Sequence, residues 1–269
     1  MKYCVVFLLL ITHVSFAQQR IVSAGGTLTE IIFALEKQQL LVAVDQSSLY
    51  PPSATTLAQI GYYRDLAAEG VLSTRPTTLL ALEGTGRPQA LTQIAATGVT
   101  VVHYKKPTTV AELLILINTL GDDLNAQQQA NTLIQKIKSS LPAKVSNTGA
   151  QALFLLSSSN RGLVAAGKET VPDMLFNYAG ITNIAATHSG FKALNTEQLV
   201  IQQPDFIVAP HHVVEGFGGK DAFCQQASLQ LLKAAQNCHL LVMDSLLSLG
   251  MTPRVAQGIK QINAFNEQL

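Results

Sequence analysis

The chain has 269 residues, and its 18 lysine and arginine side chains nearly balance its 17 aspartate and glutamate side chains. A net charge this close to zero argues against general attraction to nucleic acid or to anionic lipid, so we expect neither nucleic-acid binding nor stable membrane insertion. The length is sufficient for two lobes that each bury a core.

The first residues have the features of a secretory signal. Met1-Lys2 supplies a positive charge, residues 5–11 form a short apolar run, and Ser15-Phe16-Ala17 places small residues before a cleavage point. A membrane helix would need about 20 apolar residues, and polar residues interrupt this run too early. The sequence therefore predicts a signal peptide over residues 1–17 and a periplasmic mature protein, which we expect to be a monomer.

Short β-rich segments alternate with helical segments in the first part of the mature chain. Ile21-Val22-Ser23 predicts a strand, and Thr27-Leu28-Thr29-Glu30 has the spacing of a helix capping box. Further strands are predicted at residues 40–44, 77–82 and 99–104. Such alternation is typical of an α/β lobe, which we assign to residues 18–123.

A long helix is predicted next, over residues 124–142. Ala130, Leu133 and Ile137 fall on one helical face. A second α/β lobe, residues 143–269, follows with strands predicted at residues 152–156, 205–208 and 239–243. The expected fold is therefore α/β, with two Rossmann-like lobes joined by a single long helix that limits hinge motion.

A faint internal repeat relates the two lobes. Glu69 stands seven residues before Pro76, and Glu197 stands seven residues before Pro204, with a predicted strand after each proline. Two similar lobes would hold a ligand in the cleft between them, where binding sites preferentially form.

Sequence signatures of catalysis are missing from the chain. It contains no GxSxG, HExxH, Walker A or GxGxxG pattern, so no catalytic function is predicted. Cys224 and Cys238 could pair in an oxidising compartment, and the sequence leaves this pairing open.

The most informative segment is GYYRDLAAEG, from Gly61 to Gly70. It resembles the haem-binding proteins of bacterial haem ABC importers, which carry a GY-x-R segment leading into an AEG turn and a proline-started strand. Other segments match the same family in order, among them Ala43-Val44-Asp45 and the LGMTPR segment that ends at Arg254. The related cobalamin and siderophore binders share the architecture but lack this segment.

The resemblance implies that haem is the transported ligand and that Tyr62 binds its ferric iron through a phenolate oxygen. Arg64 would hydrogen-bond that oxygen, and Tyr63 would pack on the porphyrin face. A free tyrosine has a pKa near 10, and both Fe(III) and an adjacent guanidinium favour the anion. Tyrosine is also an established type of axial haem ligand.

Some members of this family carry a second axial ligand, a histidine in the loop after the first strand of the second lobe. Here that loop, residues 157–162, contains no histidine. We therefore predict a five-coordinate iron, with Ser159, Asn160 or Arg161 near the propionates or a distal water. Possible substitutes for the missing ligand are His188, His211 and His212.

The repeated glutamates, Glu69 and Glu197, resemble the acidic residues with which this superfamily docks onto arginines of an inner-membrane ABC permease. A carboxylate near haem propionates would be repelled, which disfavours a direct role in haem binding. The predicted function is thus haem capture in the periplasm and delivery to the permease. Two alternatives stay open: siderophore or corrinoid binding on the same scaffold, and a haem-modifying enzyme.

Overall fold

The computed structural model describes residues 19–159, 162–194, 199 and 201–269. The predicted signal peptide lies outside these ranges, as do Asn160, Arg161 and Glu197. Within them, every helix is too short or too polar to cross a membrane.

The first sheet has five parallel strands in the order β3-β2-β1-β4-β5. Its strands are β1 (Ile21–Ala24), β2 (Leu41–Val44), β3 (Ala58–Gln59), β4 (Thr78–Leu82) and β5 (Thr100–Tyr104). The helices between them are α1 (Gly26–Ala34), α2 (Ala68–Ser73) and α3 (Pro88–Ala96). Four of these strands lie within about a residue of the sequence-based predictions.

Helix α1 begins before the predicted capping box. Its N-cap is Gly25, at φ 128°, and no side chain caps the first turn. A Cβ at Gly26 would collide with the backbone oxygen of Ser47, so only glycine allows the loop after β2 to approach this closely. The capping-box prediction was wrong because this glycine turn starts the helix earlier, which leaves Thr27 and Glu30 inside it.

Two helices, α4 (Val110–Asp123) and α5 (Gln127–Ser140), connect the first sheet to the second. Helix α5 lies inside the range 124–142 but begins three residues later than predicted. The start of that range is instead a turn between the helices, in which Asn125 has a φ of 50°. The two helices pack so closely that a Cβ at Gly121 would lie 2.5 Å from the Cβ of Ala130.

The second sheet is mixed, with the order β11-β10-β6-β7-β9 and β8 paired to β6. Its strands are β6 (Gln151–Ser159), β7 (Gly162–Ala166), β8 (Thr182–Asn183), β9 (Phe191–Leu194), β10 (Phe206–Pro210) and β11 (Leu240–Met243). The helices are α6 (Val171–Ala179), α7 (His211–Gly216), α8 (Lys220–Cys224), α9 (Lys233–Gln236), α10 (Ser245–Leu249) and α11 (Val255–Asn266). Strands β7 and β9 are antiparallel to their neighbours. Cys224 and Cys238 form a disulfide.

The internal repeat is visible in the strand order. Strand β4 begins nine residues after Glu69 and lies between β1 and β5. Strand β10 begins nine residues after Glu197 and lies between β6 and β11. Each half of the chain therefore contains the same parallel three-stranded unit, which accounts for the repeated sequence.

The two sheets share one hydrophobic core. Side chains alternate along the buried strands, so that Leu80 of β4, Phe154 of β6 and Phe206 of β10 enter a single cluster together with α4 and α5. The opposite faces, represented by Leu79 and Ile207, enter two separate clusters. Because the shared cluster is continuous, a large rotation of one half against the other would expose apolar surface.

Candidate functional site

The parallel strands of the first sheet end at one edge, where ligands bind in open α/β sheets. Gly25 follows β1, Asp45 follows β2 and Glu83 follows β4. The loop after β3 carries Tyr62, and a short 3₁₀ turn, Tyr63–Asp65, follows it.

Asp45 holds three of these loops together. Its fully buried carboxylate accepts the backbone N–H of Gly25 at 2.9 Å, of Ser47 at 2.9 Å and of Tyr63 at 3.3 Å. It also accepts the hydroxyl of Ser48 at 3.0 Å. This role of Asp45 was not predicted from the sequence, in which Asp45 was only part of a matching segment, although a carboxylate directly after a buried strand was a usable signal.

Tyr62 presents its phenol outside the protein core, with a relative exposure of 45%. Its backbone is fixed on both sides, since Gly61 turns with a φ of 86° and the carbonyl of Tyr62 accepts the N–H of Asp65 at 3.0 Å. Its ring meets the ring of Tyr63 edge-on, with centroids 5.1 Å apart. An exposed phenol on a fixed turn is well placed to contact a ligand.

Tyr63 packs inward rather than into open space, and Arg64 contacts the phenols of both Tyr62 and Tyr63. Tyr63 is only 6% exposed and packs into the outer cluster of the first sheet, and its hydroxyl accepts a hydrogen bond from Arg64 Nε at 3.0 Å. Burial raises the pKa of Tyr63, and the Arg64 charge opposes this. Burial lowers the pKa of Arg64. Its interactions with the phenols of Tyr63 and Tyr62 raise that pKa by more, so the pKa of Arg64 is raised overall. Arg64 thus interacts with both tyrosines.

The second sheet presents another set of polar residues at the carboxyl ends of β10 and β11. His212 lies in the first turn of α7, and its Nδ1 is 2.7 Å from Ser245 Oγ at the start of α10. Burial, and then the charge of His211, lower the pKa of His212, which keeps its imidazole neutral at pH 7. His211 Nε2 lies 3.7 Å from a carboxylate oxygen of Glu215.

The remaining predicted residues are dispersed. Ser159 ends β6 opposite Gly162 of the β6–β7 hairpin. His188 lies at the other end of the second sheet, where its carbonyl accepts the N–H of Lys168 just after β7. Glu69 is exposed in the first turn of α2. In the described part of the chain, histidine, cysteine, aspartate and glutamate form no cluster that could hold a metal ion by themselves.

Arg254 joins the two halves of the chain below these edges. It donates to the buried carboxylate of Glu30 from Nε at 3.1 Å and from Nη2 at 2.9 Å, and its guanidinium stacks 3.8 Å from the Tyr50 ring centroid. Burial raises the pKa of Glu30, while Arg254 opposes this effect. A third contact, at 3.4 Å, links Arg254 to Asp244 after β11.

Comparison with known proteins places this geometry in context. The chain is similar in structure to the periplasmic heme-binding protein RhuT from Roseiflexus sp. RS-1, with a TM-score of 0.85 and 32% identity over 92% of this chain and 97% of that one. It is 24% identical to a vitamin B12-binding protein of Vibrio parahaemolyticus, over 97% of this chain and 95% of that protein. It is also 24% identical to an uncharacterized ABC transporter substrate-binding lipoprotein, YvrC of Bacillus subtilis, over 91% of this chain and 78% of that protein.

The family profile described as periplasmic binding protein matches residues 21–247, which include both sheets and the edges described above. The predicted bilobal α/β class is confirmed by the solved relatives. The chain belongs to the periplasmic binding protein family.

Proposed function

We propose that this protein captures ferric haem between its two halves and delivers it to an inner-membrane ABC importer. The observation that carries the proposal is the exposed phenol of Tyr62, fixed on its turn beside Arg64. The 32% identity to a periplasmic heme-binding protein, over nearly the whole chain, supports the same ligand.

The proposed iron ligand is the phenolate oxygen of Tyr62. Ferric iron is a hard ion that suits an anionic oxygen donor, and the neighbouring Arg64 charge stabilises the phenolate. Asp45 would act through the backbone of Tyr63, because its hydrogen bonds hold the loop from which Tyr62 projects. The iron would be five-coordinate, with Ser159, Asn160 or Arg161 beside the propionates or a distal water.

Delivery rests on the two repeated glutamates. Glu69 is exposed at the start of α2, and Glu197 precedes β10 by the same spacing in the second half. Two acidic points on nearly neutral lobes would set the orientation on a permease that carries matching arginines. The relative described as an ABC transporter substrate-binding lipoprotein supports such a partner.

We further propose the cellular form and the division of the chain. Residues 1–17 would be removed on secretion, which leaves a monomeric periplasmic carrier without turnover. The N-terminal lobe would comprise residues 18–123, the linking helix residues 124–142 and the C-terminal lobe residues 143–269. This division is supported because each sheet falls wholly on one side of α5.

A corrinoid is the second candidate ligand, because several relatives at 22–24% identity are vitamin B12-binding proteins. A titration of purified protein with hemin, cyanocobalamin and a ferric hydroxamate separates these candidates. We expect only hemin to bind tightly, and Tyr62→Phe to weaken its affinity by more than the 10–100-fold typical of residues that only support a metal ligand. Tyr178→Phe, in the second half, is the matched control and should bind like wild type. Tight cyanocobalamin binding without hemin binding would refute the proposal.

A further inference from the structure

Two adjacent lysines after β5 have opposite environments. Lys105 is exposed, and its Nζ lies 2.8 Å from Glu112 Oε1. Lys106 is half-buried and forms no ion pair with a carboxylate among the residues that the structure describes. Surface lysines are usually solvated and often paired with a carboxylate. This description fits Lys105 but does not fit Lys106.

The charge that acts most strongly on Lys106 is the positive charge of Arg64. Burial and then the positive charge of Arg64 lower the pKa of Lys106, and Glu83 opposes them to a smaller extent. Glu83 uses one carboxylate oxygen to accept the backbone N–H of Lys106 at 3.1 Å. The group of Arg64, Lys106 and Glu83 thus carries one excess positive charge, and within it the half-buried Lys106 would be stabilised by an added anion.

This group lies at the ligand-binding edge of the first sheet. Glu83 directly follows β4, and Lys106 comes two residues after the end of β5. Arg64 is bound to the Tyr63 hydroxyl through Nε and also interacts with Tyr62. A ligand that contacts the Tyr62 phenol would therefore lie within reach of both cations.

We propose that Lys106, together with Arg64, binds a carboxylate of the ligand and selects carboxylate-bearing ligands over neutral ones. The proposal rests on the proposed haem function, in which the carboxylate is a propionate. Corrinoids carry amides in place of these carboxylates, so Lys106 would also contribute to rejecting them. A lysine in this position acts as a point charge that needs no fixed geometry, which suits a propionate on a flexible arm.

Hemin and its dimethyl ester test this directly, since they share iron and ring and differ only in the two carboxylates. Wild-type protein should prefer hemin over the diester, and Lys106→Met should reduce that preference by about tenfold or more, as expected for a charge-assisted hydrogen bond. Lys105→Met, the neighbouring control, should keep the full preference. Lys106→Arg should retain most of the preference for hemin over the diester, because it keeps the positive charge at this position.

Three results would overturn the proposal. Equal losses of affinity for hemin and for the diester in Lys106→Met would indicate a structural role. An unchanged preference for hemin in Lys106→Met would remove Lys106 from the carboxylate contact. If wild type binds neither compound, the haem function fails first, and the role of Lys106 fails with it.

Discussion

The carboxyl edges of the two sheets come from the same repeated strand unit but are built differently. At the edge of the first sheet, the buried carboxylate of Asp45 holds three loops through four hydrogen bonds. At the edge of the second sheet, the loops after β10 and β11 are joined through His212 and Ser245, near the surface. The loops of the first edge are therefore held by a buried carboxylate, whereas the loops of the second edge are held by a hydrogen bond near the surface.

An anchored loop is the better support for a metal-binding side chain. A ligand to iron must be held in a narrow range of positions, and a loop anchored to a buried carboxylate satisfies this requirement. Tyr62 is attached to the anchored edge, whereas His211 and His212 belong to the other. The repeat thus supplies two equivalent scaffolds, and the proposed iron ligand lies on the one whose loops are anchored to a buried carboxylate.

The largest expected effect comes from breaking the joint between the two halves. Arg254→Met leaves the carboxylate of Glu30 buried without its partner, which costs about 3–5 kcal/mol of unfolding free energy. Chemical denaturation at pH 7 measures this loss. The double variant Glu30→Gln/Arg254→Met removes both charges and should recover most of the stability. A single variant as stable as wild type would contradict the role of this pair.

The same variant should depend on pH in a defined direction. Burial already raises the pKa of Glu30, and without the Arg254 side chain only the hydrogen bonds from Thr252 and from the backbone at position 254 still oppose that rise. A carboxyl whose pKa is higher in the folded state favours folding while it is protonated, and this stability is lost as pH rises through the folded-state pKa. Relative to the double variant, Arg254→Met should therefore be nearly as stable at about pH 4 and progressively less stable toward pH 8.

Removing the disulfide should destabilise the second half of the chain without changing ligand binding at the edge of the first sheet. Cys224 and Cys238 close a short loop in the second half, and their replacement by alanine should cost about 3 kcal/mol. Hemin affinity at low temperature, where the variant stays folded, should match wild type. A large loss of affinity in the folded variant would mean that the two edges are coupled through the second core.

A smaller loss is expected at the anchor of the first edge. Asp45→Asn replaces one acceptor oxygen with an amide donor that faces backbone N–H groups, at a cost of about 1–3 kcal/mol. Hemin binding should weaken as well, because the loop that carries Tyr62 is no longer held. Asp65→Asn, an exposed carboxylate on the same turn, is the control. Equal hemin affinities in both variants would show that Asp45 does not position the site.

The smallest effect on ligand binding is expected from the docking glutamates. Reversing Glu69 and Glu197 to lysine should leave the hemin spectrum and affinity unchanged, because neither is expected to touch the ligand. The same double variant should fail to stimulate the ATPase activity of the reconstituted transporter. Uptake at the wild-type rate would remove the docking role, and lost hemin binding would place these residues on the wrong surface.

Much of the fold was predictable from sequence, because strand position depends on local hydrophobic pattern. Strands β4 and β10 were found with their repeat spacing. The β6–β7 hairpin and the early start of α1 were not predicted, since they depend on contacts made elsewhere in the chain. The site was predictable only in part: a motif located Tyr62 and Arg64, but the partners of Asp45 and Arg254 are distant in sequence and become visible only in the folded chain.

The visible absorption spectrum of the hemin complex is the most direct test of Tyr62 as the iron ligand. We predict a high-spin ferric spectrum with a phenolate charge-transfer band toward the red edge of the visible range, and the loss of that band in Tyr62→Phe. The band should persist in Tyr178→Phe. A Tyr62→Phe complex with the wild-type spectrum would contradict the account, because iron would then be bound by another residue.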